Sequence, residues 1–291
     1  MNLSHGALNP APAATEPLVS VVMCAKNEEQ HIGAAIESLT SQTYERLEIV
    51  VVDDCSSDGT GQIVRAFNDC RITFISNTTG TSGRASARNL GVRTARGEYI
   101  TYQDADDISY PERIQRQVQR AVMSPNQLAV GTWIDMDRGS DLSVLRLPLD
   151  HSSIIKGFTR ATRRVTFVSA TMMYPSAIAK QVPQRPKFRY FEDWDMLCRL
   201  SESTSLEFCN IPEPLYRYIL RKKGSKAQGD WADYNVFCRA CHERRRAQLP
   251  EWESLEQFRK DQRMPLKERC RWGILRALLS AKGRLDMRKA G

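Results

Sequence analysis

Four short, nearly unbroken apolar runs pace the first part of the chain: VSVVMCA (19–25), LEIVVVDD (47–54), ITFIS (72–76) and EYITYQ (98–103). Such runs, rich in β-branched residues and closed by polar ones, predict strands buried on both faces. Between and after them, apolar positions recur at helical spacing: Ile32, Ile36 and Leu39; Ile63, Val64 and Phe67; Ile114, Val118 and Val122. Asn27 is placed to cap the first helix. Ser56, Asp58 and Gly59 form a turn before the second. A polar stretch, 77–89, leads into a third, and Pro111 suits the first turn of a fourth. Strand and helix thus alternate four times, which predicts right-handed βαβ units and a mostly parallel, Rossmann-like sheet in an α/β fold.

Sheets of this kind bind ligands at the carboxyl ends of their strands. Here those ends carry Asn27-Glu28, Asp53-Asp54 and Asp104, Asp106 and Asp107. A sheet does not need three acidic clusters for stability, and helix capping would account for only one of them. Asp104-x-Asp106 offers oxygen ligands to a hard divalent cation. A calcium EF-hand loop fails at Ile108, Ser109 and Gln115. Mg²⁺ or Mn²⁺ bridging a diphosphate is the better fit. No P-loop motif is present, and no G-x-G-x-x-G follows the first strand, which argues against ATPase and dinucleotide hydride chemistry.

Composition adds exclusions. The chain has 291 residues, 41% hydrophobic and 26% charged, as expected of a globular protein and not of a disordered one. Mean hydropathy is −0.46 and no apolar window is long enough to span a bilayer. Residues 1–17, rich in Ala and Pro, are expected to be a flexible lead without signal-peptide character. The eight cysteines are expected to be reduced thiols. Cys238-Arg239-Ala240-Cys241-His242 has the spacing of c-type haem attachment, but that chemistry needs export; two cysteines sharing one helix face is the simpler reading. Zinc is disfavoured because no second pair has ligand spacing. The net charge is +8, and from Arg263 onward nine Lys/Arg stand against two acids, so the body is near neutral. That distribution does not suit a nucleic-acid enzyme.

VSVVMCAKNEE, IVVVDDCSSDGT, ARNLGVRTARGEYITYQDADD and FEDWDMLCRL, in that order, resemble a family 2 glycosyltransferase, from about Val19 to Tyr218. The resemblance implies a GT-A three-layer α/β/α fold over 18–225, followed by a basic helical extension over 226–291. It implies an inverting, metal-dependent, hexosyltransferase-like enzyme acting on a nucleotide sugar, UDP-sugar favoured. The acceptor would be a hydroxyl of a glycan, a lipid-linked or a small molecule, in cell-surface polysaccharide synthesis. It assigns Ala25, Asn27, Glu28, Asp54, Arg88, Asn89, Asp104 and Asp106 to the donor, with Asp104 and Asp106 for the Mg²⁺ or Mn²⁺. Lys26 stands where many members have an aromatic residue. Glu192-Asp193 matches the acidic pair that opens an acceptor-side helix, with Asp193 as general base and Glu192 and Trp194 on the acceptor side. Trp194, Leu197 and Leu200 give that helix an apolar stripe. No Q-x-x-R-W motif is present, so a single transfer is expected rather than polymerisation. The loops of 130–190 would choose sugar, acceptor and linkage, and 214–225 (PLYRYILRKKGS) would be a basic loop in reach of diphosphate or solvent.

The tail carries Leu266, Cys270, Ile274, Leu278 and Leu285 on one helical face, beside Trp272, Leu275 and Leu279. Its charge comes from Arg269, Arg271, Arg276, Lys282, Arg284, Arg288 and Lys289. A basic amphipathic helix can lie on an anionic membrane, or pack on the body and leave its charges in solvent. The expected location is cytoplasmic, with peripheral contact at the inner face of the membrane through 263–291. Two rivals remain: a sugar nucleotidyltransferase, which usually has a Gly-rich basic signature near its amino end that is absent here, and a non-catalytic nucleotide-sugar binder on a membrane scaffold.

Overall fold

A computed structural model describes residues 16–77, 82–159, 165–221, 230–261, 264 and 267–277. The four apolar runs form β1 (Val19–Ala25), β2 (Leu47–Asp53), β3 (Ile72–Ser76) and β4 (Tyr99–Asp104), joined by α1 (Ile32–Thr40), α2 (Thr60–Ala66) and α3 (Arg84–Thr94). They pair in parallel in the order β3-β2-β1-β4. The chain turns from one side of β1 to the other between β2 and β4, which opens a crevice at their carboxyl ends. Register brings those ends level: Ala25 lies beside Asp53, and Cys24 beside Asp104.

Beyond β4 the sheet continues, and 130–190, read as loops, holds strands and helices of its own, while the helices expected after Pro111 and at Glu192 are present. β5 (Ile108–Ser109) and α4 (Arg113–Val122) precede β6 (Leu128–Asp137), β7 (Leu142–Leu145), α5 (His151–Thr159), β8 (Met173–Pro175), α6 (Ser176–Gln181), α7 (Glu192–Ser203) and β9 (Glu207–Ile219). The path is β4-β8-β6-β9-β5, with β7 also on β6. β8 runs antiparallel to β4 and β6, so β6 and β9 point the same way as β1 to β4. Much of the stretch read as a basic loop, 214–219, is strand instead, with Tyr216 fully buried.

One apolar layer packs α1, α2 and α4 on one face of the sheet; another packs α5, α6 and α7 on the opposite face. Three local expectations change. Asn27 does not cap α1, whose N-cap is His31; it takes a left-handed φ of 56° and ties two loops together. α3 begins at Arg84, inside the polar stretch, because Ala85, Ala87 and Val92 bury against the sheet. Val122 is exposed while Ile114 and Val118 are buried.

A third cluster joins α8 (Trp231–Arg246), α9 (Leu255–Lys260) and a helix over 267–277, α10, to Phe188, Phe191 and Trp194. Cys238 and Cys241 are both buried in it, as two cysteines on one helix face. Trp272 is 6% exposed; Arg271 pairs with Glu243 and Arg276 with Asp233. The described part of the tail therefore packs on the body through Trp272 and Leu275, while Cys270 and Ile274, expected on its apolar face, are exposed. Leu266, Leu278, Leu279, Leu285, Lys282, Arg284, Arg288 and Lys289 lie outside the described residues, as does the amino-terminal lead up to residue 15. No helix among the described residues is long and apolar enough to cross a membrane.

Candidate active site

α3 lies close on β1 because Gly91 has no side chain. A Cβ there would stand 2.4 Å from Val22 Cγ1. One and two helical turns earlier, Arg88 and Arg84 are thereby carried over the strand ends. Arg88, 8% exposed, donates from Nη2 to Asp104 Oδ1 at 2.8 Å, and its Nη1 lies 3.8 Å from Glu192 Oε1. Arg84 Nη1 donates to the same Glu192 oxygen at 3.2 Å. A strand-end acid, a buried arginine and the first residue of α7 thus form one chain of charges. Burial works against the Arg88 charge, but Asp104 and Glu192 outweigh it and hold the guanidinium firmly protonated.

Glu192 and Asp193 are adjacent and differently placed. Glu192 is 1% exposed and its Oε2 has no hydrogen-bond partner among the described residues. Burial, then the neighbouring Asp193 charge, push its carboxyl above the usual range despite Arg84 and Arg88. Asp193 is half-buried. It accepts hydrogen bonds from Ser169 Oγ at 2.9 Å and from the Trp194 N–H at 2.7 Å. No cation lies within ion-pair distance of it among the described residues. Asp193 thus combines acceptor oxygens with access from solvent, as a base requires. Trp194 turns to α8, edge-on to His242 and under the Arg239 guanidinium.

The loops after β1 and β2 are sewn together. Asn27 N–H donates to Ser56 Oγ, the Ser57 N–H donates to Asn27 Oδ1, and the Glu28 N–H donates to Thr60 Oγ1. The Asp54 carboxylate accepts from Asn77 Nδ2, Ser82 Oγ and the Gly83 N–H at 2.9–3.1 Å, with Lys26 Nζ 3.9 Å away. The Asp54 N–H donates to the Ala25 carbonyl, so Ala25 shapes this corner through its backbone. Asn89 is engaged elsewhere: its Nδ2 donates to the Gln184 carbonyl and its Oδ1 accepts from the Gln184 N–H.

Asp104 and Asp106 are 32% and 35% exposed. Two accessible carboxylates suit a hard divalent ion whose shell is completed by phosphate oxygens. Among the described residues no three His, Cys, Asp or Glu side chains converge into a closed metal site. Asp106 pairs with Arg221, which also reaches Glu28 at 2.9 Å. Asp107, by contrast, is buried; it accepts from Tyr216 OH at 3.0 Å and the Ile219 N–H at 2.8 Å. Burial and the Asp104 charge push its carboxyl up to about 8. Arg84, Ser169, Tyr216 and Arg221 are site neighbours that motif reading did not single out. Only the basic character of 214–225 hinted at Arg221.

Residues 20–181 match the family described as Glycosyl transferase family 2. The chain is similar to an uncharacterized glycosyltransferase of Haemophilus influenzae, 29% identical over 70% of this chain and 66% of that protein. It is also similar to the UDP-Glc:alpha-D-GlcNAc-diphosphoundecaprenol beta-1,3-glucosyltransferase WfaP of Escherichia coli, 40% identical over 35% of this chain and 40% of WfaP. The alignments therefore span between two fifths and two thirds of those relatives' length. Among solved structures, S. aureus TarS 1-349 in complex with UDP-GlcNAc superposes with a TM-score of 0.62 at 18% identity, covering 89% of this chain and 79% of that one. The mannosyltransferase PcManGT of Pyrobaculum calidifontis, in complex with GDP-Man and Mn²⁺, gives 0.60 at 19% identity, covering 96% and 83%. At those identities the likeness is one of fold.

Proposed function

The chain belongs to glycosyl transferase family 2 and has its GT-A fold, and from that premise we propose that it is an inverting transferase. It moves a sugar from a nucleotide-diphosphate sugar to an acceptor hydroxyl in cell-surface polysaccharide synthesis. The observation that carries this reading is the Asp104–Arg88–Glu192 chain of charges, which ties the donor-side strand end to the helix that carries Asp193. Residues 25–28, Asp54 and Arg88 line the donor side. Asp104 and Asp106 would hold a Mg²⁺ or Mn²⁺, whose chemistry is to neutralise charge on a departing diphosphate. Asp193 takes the proton from the acceptor hydroxyl as that oxygen attacks the anomeric carbon, and one displacement with one base inverts that carbon. Buried Glu192 keeps Arg84 and Arg88 in register and does not touch the proton.

A nucleotide-sugar donor is supported by the similar proteins, WfaP with UDP-Glc, TarS with UDP-GlcNAc and PcManGT with GDP-Man. The WfaP name supports a lipid-linked diphosphate acceptor. Contact with an anionic inner leaflet is proposed for 263–291, in which Trp272 is turned to the body while Cys270 and Ile274 are exposed. The test is a panel of UDP-, dTDP- and GDP-sugars with and without Mn²⁺, read by thermal shift and by release of nucleoside diphosphate. Stabilisation by one nucleotide class, with turnover when a glycan or lipid-linked acceptor is added, is expected. Stabilisation without turnover on any acceptor would favour a non-catalytic binder.

A further inference from the structure

Arg221 stands two residues beyond the end of β9 and closes the crevice from the far side of the sheet. One guanidinium nitrogen, Nη2, lies 2.9 Å from Glu28 Oε2 and also pairs with Asp106 Oδ2. Glu28 comes from the loop after β1 and Asp106 from the loop after β4, neighbours in the sheet. A single guanidinium therefore spans two strand-end carboxylates, and Glu28 Oε2 also has His31 Nδ1 at 3.4 Å. The Arg221 Nε is buried and has no hydrogen-bond partner among the described residues. The pair is nonetheless within reach of small ions, with 29% of the Arg221 side chain and 35% of that of Asp106 exposed.

Asp106 is also a carboxylate that the proposed donor site needs for its divalent ion. We infer that Arg221 is an internal counter-ion that competes with that metal for Asp106. In the protein without ligand it is shared between Glu28 and Asp106 and offsets part of their charge. The ion is held at Asp106 only when the guanidinium leaves that oxygen. A nucleoside diphosphate brings the negative charge that can take up a released guanidinium. Metal and nucleotide then favour each other's binding, and by linkage each does so by the same factor. The inference rests on the donor-site reading above.

The experiment is Mn²⁺ binding to the full chain, read from the electron paramagnetic resonance signal of the free ion, with and without UDP. Without UDP, R221Q is expected to bind Mn²⁺ about fivefold more tightly than the parent, the most that a part-exposed ion pair usually supplies. R221M, which keeps an apolar stem, should show the same gain. R221K, which keeps the charge, should stay within about twofold of the parent on the same scale. UDP should tighten Mn²⁺ binding more in the parent than in R221Q. If R221Q and R221M bind Mn²⁺ alone no better than the parent, while UDP still promotes Mn²⁺ binding in all of them, the competition is overturned and the donor site stands. If none of the proteins binds Mn²⁺ with or without UDP, the metal assignment of Asp106 and the inference fall together.

Discussion

Glu192 and Asp193 are chemically alike and adjacent, yet only one is placed to exchange a proton with a ligand. Glu192 faces inward onto two arginines, whereas Asp193 faces Ser169 and the solvent-accessible side. Asp193→Asn should therefore lower sugar transfer by about 10² to 10⁴, the usual range for losing a general base, with donor affinity little changed. Glu192→Gln should act differently: a smaller loss in kcat and a weaker donor affinity, because Arg84 and Arg88 lose the charge that holds them. Turnover measured beside donor binding for both variants separates the roles. Parental transfer by Asp193→Asn would make that residue a helix-end acid only. The acids of the crevice were legible in the sequence because each ends an apolar run, where chain polarity alone places it. The partners of Arg88 were not, since Asp104 and Glu192 meet it across 16 and 104 residues of chain.

At the level of elements, two contacts place the site. Gly91 lets α3 approach β1, and Gly91→Ala would drive a methyl group into Val22. Overpacking of this kind costs about 1–3 kcal/mol. Because the displaced helix carries Arg84 and Arg88, donor binding should weaken together with the thermal midpoint. Loss of stability with intact donor affinity would show that α3 yields without moving those arginines. The second contact anchors α7. Asp195 is fully buried and is held by Arg185 and Arg199, with Arg245 of α8 at 3.7 Å. Asp195→Ala removes the buried carboxylate that these guanidinium groups share and should cost about 3 kcal/mol in urea unfolding. A helical stripe at Trp194, Leu197 and Leu200 was visible in the sequence. That the same helix carries a buried acid paired across to α8 was not, because nothing in the local pattern separates it from Glu192 and Asp193 nearby.

For the whole molecule, the carboxyl-terminal helices are part of the packed body. Trp272 fills the third apolar cluster, so Trp272→Ala should destabilise by about 3 kcal/mol. Deletion of 263–291 should likewise lower the thermal midpoint, beyond any loss of liposome binding. An unchanged midpoint would return α10 to the role of a detached anchor. The ion network of Glu251, Arg185 and Arg245 sets an acid limit. Burial alone would raise the Glu251 carboxyl, but Arg185 and Arg245 outweigh it and bring it down to about 2 from an ordinary 4.5. A depressed carboxylate contributes stability above its unfolded value, and that contribution is lost as pH falls from about 4.5 toward 2. Glu251→Gln should therefore be less stable than the parent at neutral pH, and the difference should vanish toward pH 2 in parallel melts.

The sequence by itself determined the alternating strands and helices of the first half, the parallel sheet, and the acids at its carboxyl ends. Hydrophobic periodicity and chain direction are local properties, so they can be read one segment at a time. Tertiary structure alone decided that 130–190 supplies three further strands, whose pairing β6 with β9 and β8 with β4 joins distant segments. It also decided that Arg88 links Asp104 to Glu192, that Arg221 pairs with Asp106, and that Trp272 of the described tail packs inward. Each of these depends on which charge or apolar face meets another after the chain has returned from far away. A sequence window contains only one side of such a meeting.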